Sequence, residues 1–119
     1  AGRKLGAIGY CMGGRLAYTA AAKLPLDVAV AYYGGGIQNQ LDLAASVACP
    51  MQFHYAEQDT HIPLDAVAAV KAAMAGKPAE FHVYPGAQHG FNCWARASHH
   101  AGSAALAHGR TLGFLSQLF

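Results

Sequence analysis

Charge is what this chain has least of. Eight Lys and Arg and six Asp and Glu stand among 119 residues, 12% in all, where about 25% is usual for a free-standing domain. The basic side chains, Arg3, Arg15, Lys23, Lys71, Lys77, Arg96 and Arg110 among them, are scattered, with neither a stripe nor interleaved aromatics. A nucleic-acid partner is therefore not expected. No apolar run reaches membrane-spanning length and no basic-then-apolar leader pattern opens the chain, so no membrane partner is expected either. Only three cysteines occur, Cys11, Cys49 and Cys93, an odd number without C-x-x-C spacing. That excludes a disulfide framework and points to a reducing compartment, the cytoplasm. Seven histidines invite a metal, yet there is no H-x-x-x-H pair, and the adjacent His99 and His100 would face apart on a helix. No metal or other cofactor is expected. Gly34-Gly35-Gly36 lacks the Lys-Ser/Thr that a phosphate cradle needs, and reads as a loop beside a cleft.

What the chain does have is one organising turn, Gly9-Tyr10-Cys11-Met12-Gly13-Gly14. It lies between a run that reads as a buried strand, residues 4–10, and one that reads as a helix, residues 15–23. The spacing is a cysteine version of G-x-S-x-G, the strained strand-to-helix turn that lifts a nucleophile clear of a sheet. Small residues two before and two after the cysteine are expected because side chains there would collide with neighbouring backbone. The helix N-terminus is expected to favour thiolate over thiol at Cys11.

Further along, residues 27–33 read as a strand covered on both faces, 41–47 as a short helix or turn, and 51–56 as a third strand. A helix follows over about 64–75, with Val67, Val70, Lys71 and Met74 at helical spacing. Residues 80–84 alternate as a fourth strand. A last helix spans about 103–118, with Leu106, Leu112, Leu115 and Leu118 on or near one face. Alternating strands and helices with short connections predict an α/β fold, a parallel sheet with flanking helices. Ligands in such sheets bind at the carboxyl ends of strands. Cys11, Asp59 and His89 each fall just past such an end.

A cysteine nucleophile needs a base, and the base an orienting partner. His89, flanked by Gly90, fits the base and Asp59 the partner, in the chain order that α/β-hydrolases use. The backbone N–H of Met12 is the expected donor to a developing oxyanion. Other readings stand beside these. Asp59 could cap the next helix, with Asp65 competing for that cap. Glu57 rivals Asp59 as the acid. Cys49 and Cys93 read as buried hydrophobes or as incidental, and His61 as a solvated loop residue.

Three segments together resemble the dienelactone hydrolases (carboxymethylenebutenolidases): Gly9 to Gly14, then His54-Tyr55-Ala56-Glu57-Gln58-Asp59 with Ile62-Pro63, then Tyr84-Pro85-Gly86-Ala87-Gln88-His89-Gly90-Phe91. The resemblance implies an α/β-hydrolase whose Cys11, His89 and Asp59 open an enol-lactone in aromatic-compound breakdown, without a cofactor. It covers the carboxyl-terminal half of that family's pattern, so residues 1–119 are expected to be part of a domain. Family members hold the substrate carboxylate with arginines, one of them a few residues past the histidine. Cys93 falls near that place here, and Arg96 is the closest candidate. The chain opens at Ala1 without an initiator Met, which predicts a start inside a larger protein. The edge of the first strand is then expected to be covered, by the rest of the protein or by a second copy in a homodimer. Two other functions compete with hydrolysis of a small ester or lactone: a catalytically incomplete dimeric module, and thiol-redox chemistry at Cys11, weakened by the lack of a resolving cysteine nearby in sequence.

Overall fold

The computed structural model describes residues 3–118. Four parallel strands, β1 (Gly6–Tyr10), β2 (Val28–Tyr32), β3 (Met51–Ala56) and β4 (Ala79–Tyr84), form one sheet in chain order β1-β2-β3-β4. Helix α1 (Met12–Lys23) joins β1 to β2, α2 (Leu64–Ala73) joins β3 to β4, and α3 (Ala101–Ser116) follows β4. Between β2 and β3 the connection consists of two 3-10 turns, Ile37–Asn39 and Leu41–Ser46, in place of a full helix. The expected parallel α/β architecture with flanking helices is the one observed.

Strand sequence explains the layering. Side chains alternate across a strand, so β3 sends Phe53 and Tyr55 to one face and Gln52 and His54 to the other. Phe53 meets Tyr18 of α1 (ring centroids 6.5 Å apart) and stacks on Phe81 of β4 (4.5 Å). Val67, Val70 and Met74 of α2 are buried in the same core. On the opposite face, register partners Tyr10, Tyr32, His54 and His82 line up ring beside ring across all four strands, at 4.7, 4.4 and 5.6 Å, the first pair tilted and the other two stacked. Helix α3 covers the middle of that stack. Its Thr111 hydroxyl lies 2.7 Å from the Tyr32 hydroxyl and 3.3 Å from His54 Nε2. His54 also bonds Gln52 Oε1 and the Tyr84 hydroxyl, both at 2.7 Å. Burial, with smaller contributions from His82 and Arg110, holds its imidazole at a pKa of about 3.

Two expectations need correction. The first strand is not buried: Gly6, Ile8 and Tyr10 are exposed and only Gly9 is fully covered, because β1 has a hydrogen-bonded neighbour on one side alone. The leucine pattern of the last helix holds only in part, since Leu115 and Leu118 pack half-buried against the core. Leu106 and Leu112 are about half exposed, while Ser103, Ala104, Ala107, Thr111 and Phe114 pack inward. Small side chains let the helix come close to the sheet, and Thr111 supplies the polar partner that Tyr32 and His54 require.

Candidate active site

The turn after β1 has the strained geometry that the spacing implies. Cys11 adopts φ 57 and ψ −120, a left-handed backbone that costs a non-glycine residue about 1–3 kcal/mol. The turn is held because the Cys11 N–H donates to the Tyr32 carbonyl at 3.1 Å, while the Cys11 carbonyl accepts from Gly14 and Arg15. A Cβ on Gly9 would stand 1.8 Å from the Gly13 carbonyl oxygen, so glycine is obligatory there. The expectation for the residue two after the cysteine fails, since a Cβ on Gly13 meets nothing within 4 Å. The second tight position is Gly14, whose Cβ would lie 2.6 Å from the Tyr32 carbonyl oxygen and 3.0 Å from Gly34 Cα. Close approach of α1 to the chain leaving β2 is the reason.

Asp59 follows β3 and divides its carboxylate between two tasks. Oδ1 accepts from the backbone N–H of His61 (2.7 Å) and Ile62 (3.1 Å), folding the loop back on itself. Oδ2 lies 2.7 Å from His89 Nδ1, and the carboxylate is fully buried. An ionised carboxylate can only accept, so Nδ1 carries the hydrogen and Nε2 presents its lone pair. The loops that bring the two residues together are stitched by Glu57 N–H to Tyr84 O (3.1 Å) and Gln58 N–H to Ala87 O (2.8 Å). His89 is set between fully buried Ala87 and Phe91, and Phe91 packs on Tyr33 and Tyr84 at 5.2 and 5.1 Å.

The competing readings resolve through these contacts. Helix α2 begins after Pro63 with no side-chain cap, so neither Asp59 nor Asp65 caps it. Glu57 is exposed and accepts from Gly86 N–H at 3.0 Å, away from His89. His100 caps α3, accepting from Ser103 N–H through Nδ1 at 3.2 Å.

Cys11 sits between two cavities. One, about 320 Å³, is lined by Cys11, Met12, Arg15, Gly35, His61 and His89. The other, about 390 Å³, is lined by Tyr10, Cys11, Tyr33, Asn92, Cys93, Trp94 and Arg96. Burial pushes the Cys11 thiol above its ordinary value, and the nearby Asp59 and Cys93 add to this. The positive charge of Arg96, which lines the same cavity, works the other way and only partly offsets burial. Burial thus works against the thiolate that the helix N-terminus favours. Tyr33 sits in the left-handed region at φ 35, fully buried, with its ring 5.1 Å from that of His89.

Several residues at this site carry no sequence signal of their own. His61 is exposed as expected, but its ring lies 5.0 Å from His89 and lines the cavity. Arg15 stands four residues after Cys11, one turn along α1, a spacing that places both on one side of the helix. Cys93 is half-buried rather than a core residue, and it lines the second cavity beside Cys11. Among the described residues no three His, Cys, Asp or Glu side chains group as metal ligands, and no helix is long and apolar enough to cross a membrane.

Against known proteins, the model of the dienelactone hydrolase family matches residues 1–119. The carboxymethylenebutenolidase of Pseudomonas putida is 38% identical over 116 residues, which cover 97% of this chain and 49% of that protein. Carboxymethylenebutenolidase 1 of Cupriavidus pinatubonensis is 28% identical over the same shares. A solved Klebsiella pneumoniae structure bearing the dienelactone hydrolase name superposes with a TM-score of 0.88 at 35% identity, covering 95% of this chain and 52% of that one. A dienelactone hydrolase-like promiscuous phosphotriesterase from metagenomic libraries reaches 0.89 at 22% identity, over 100% and 54%, and shares the fold. The chain spans about half the length of the curated relatives that it matches.

Proposed function

The chain belongs to the dienelactone hydrolase family, and from that premise we propose that it carries the nucleophile-bearing half of a hydrolase of ester and enol-lactone bonds. Cys11 is the nucleophile, His89 the base and Asp59 its orienting acid. The observation that carries this reading is the 2.7 Å contact between Asp59 Oδ2 and His89 Nδ1, with His89 lining the same cavity as the strained Cys11.

The Cys11 thiol, raised by burial, gives up its proton as the reaction begins, and the free Nε2 lone pair of His89 takes it. The sulfur adds to the ester or lactone carbonyl carbon. The oxygen, now negative, receives the Met12 N–H, which no residue of its own helix can accept from in the first turn. Collapse of the adduct breaks the carbon–oxygen bond, and the leaving enolate or alkoxide departs with the proton held on His89. Water then gives a proton to His89 and adds to the thioester. The acid product is released and Cys11 returns to the thiol. Asp59 stabilises imidazolium during both halves of the cycle.

Each cavity beside Cys11 brings one arginine, Arg96 on one side and Arg15 on the other. We assign to Arg96 the anionic group of a small carboxylated substrate. In the working protein the exposed edge of β1 is covered by further chain or by a second copy, and the reducing cytoplasm keeps the thiol available.

Hydrolysis of p-nitrophenyl acetate and of dienelactone tests the assignment. Cys11→Ala removes activity, and Asp59→Asn lowers kcat/KM by roughly 10³-fold or more while the fold persists. Activity that survives Cys11→Ala overturns the triad. An inactive but folded wild type returns the alternative, a non-catalytic module.

A further inference from the structure

Hydrolysis uses the cavity that Cys11 shares with His89 and, in the other one, calls on Arg96 alone, leaving Cys93 without a role. That second cavity holds two free, half-buried thiols, Cys11 and Cys93, together with Arg96. The turn after His89 fixes both newcomers. Cys93 N–H donates to the Gly90 carbonyl at 2.9 Å, and Arg96 N–H to the Cys93 carbonyl at 3.1 Å. Gly90, at φ 81, has no side chain to block the guanidinium, whose Nη1 lies 2.6 Å from where a Cβ would stand. Arg96 is thereby held against Gly90 and lines the same cavity as Cys11. Cys49, the remaining thiol, is buried in the core.

A nucleophilic sulfur, a cation beside it and a second thiol on the same wall are the parts that two-electron reduction of a hydroperoxide requires. The cation stabilises the thiolate and the negative oxygen that leaves, and the second thiol ends the reaction as a disulfide. We propose that Cys11 and Cys93 form a hydroperoxide-reducing pair in this cavity, with Cys11 oxidised first and Cys93 resolving it.

The Cys11 thiolate attacks one oxygen of the hydroperoxide and the O–O bond breaks. The other oxygen leaves as alkoxide or hydroxide and takes up the proton that Cys11 has lost, giving alcohol or water and a Cys11 sulfenic acid. Cys93, as thiolate, then attacks the Cys11 sulfur. The S–O bond breaks, and hydroxide leaves with the Cys93 proton as water. Two thiols have supplied two electrons, and a disulfide remains. An external dithiol returns the pair to its starting state. The proposal shares Cys11 with the hydrolytic reading, but its readout is mass and needs no ester.

The reduced chain is treated with a small excess of hydrogen peroxide, the remaining thiols are alkylated, and intact mass and peptides are measured. The expected product is lighter by about 2 Da. It has lost two of its three thiols, contains a peptide linking Cys11 to Cys93, and is restored by dithiothreitol. Cys49→Ser behaves like the wild type. Cys93→Ser and Cys93→Ala instead accumulate a dimedone-trappable sulfenic acid at Cys11 that proceeds to sulfinic acid. Wild-type Cys11 that passes to sulfinic acid while Cys93 stays free overturns the proposal, as does a disulfide between two chains or three thiols left untouched by peroxide.

Discussion

Replacing Gly9 by alanine probes the elbow where its geometry is least forgiving. The new methyl carbon would stand 1.8 Å from the Gly13 carbonyl oxygen, where ordinary contact begins near 3.4 Å. Both partners are backbone, so no side-chain rotation relieves the overlap. The start of α1 must move away from β1, and with it the Gly14 contacts to Tyr32 and Gly34. Overpacking a core with movable side chains costs about 1–3 kcal/mol; against backbone the cost is expected at or above about 3 kcal/mol. The same change at Gly13, two residues past Cys11, meets open space. It should be neutral or stabilising by up to about 1 kcal/mol, since alanine is the better helix former. Urea unfolding followed by circular dichroism separates the two. With a slope of about 1–3 kcal/mol per molar, Gly9→Ala lowers the midpoint by at least about 1 M and Gly13→Ala leaves it level or slightly raised. Equal shifts for the two variants, or a Gly9→Ala protein within about 1 kcal/mol of wild type, would refute the steric argument.

Two further outcomes follow from the perturbed groups. Burial raises the Cys11 thiol and Arg96 opposes it, so Arg96→Met, which keeps bulk and removes charge, moves the thiol further up. Iodoacetamide labelling of Cys11, read peptide by peptide, then slows at pH 8 and its pH midpoint rises; labelling at an unchanged or greater rate contradicts the assignment. His54 is held neutral at a folded pKa of about 3, against 6.5 for the free group. Above pH 6.5 it is neutral both folded and unfolded and adds no pH dependence. As pH falls below 6.5 the unfolded chain binds a proton that the folded chain refuses. Stability then drops by about 1.4 kcal/mol per pH unit until the folded pKa is reached. Urea midpoints measured from pH 7 to 4 should fall more steeply for wild type than for His54→Leu, and parallel lines rule the account out.

Features written into local pattern are legible in the amino-acid sequence itself. The β-branched run at 28–32, the elbow spacing and the Gly- and Pro-marked loops place four parallel strands and set Cys11, Asp59 and His89 past strand ends. What sequence does not convey depends on who packs against whom. The exposure of Ile8 and Tyr10 follows from the position of β1 at the sheet edge, which an apolar run does not encode. The inward face of α3 is made largely of Ala104, Ala107 and Thr111 because close approach and a hydroxyl matter there more than hydropathy, so Leu106 and Leu112 mislead where Leu115 does not. Cys93 lies 82 residues from Cys11, and only the fold of the 90–96 turn brings them to one wall. The raised Cys11 thiol is likewise a tertiary effect, burial outweighing a favourable helix end.

Trp94 is the sole tryptophan of the chain and stands 84% exposed on the lip of the larger cavity, next in sequence to Cys93. All indole emission therefore originates from one spot beside the elbow, with no second fluorophore of that kind to dilute it. Ligand arrival, alkylation or a change of oxidation state at the neighbouring sulfurs alters the surroundings of that ring before anything distant moves. The protein carries its own optical gauge, positioned where the chemistry is.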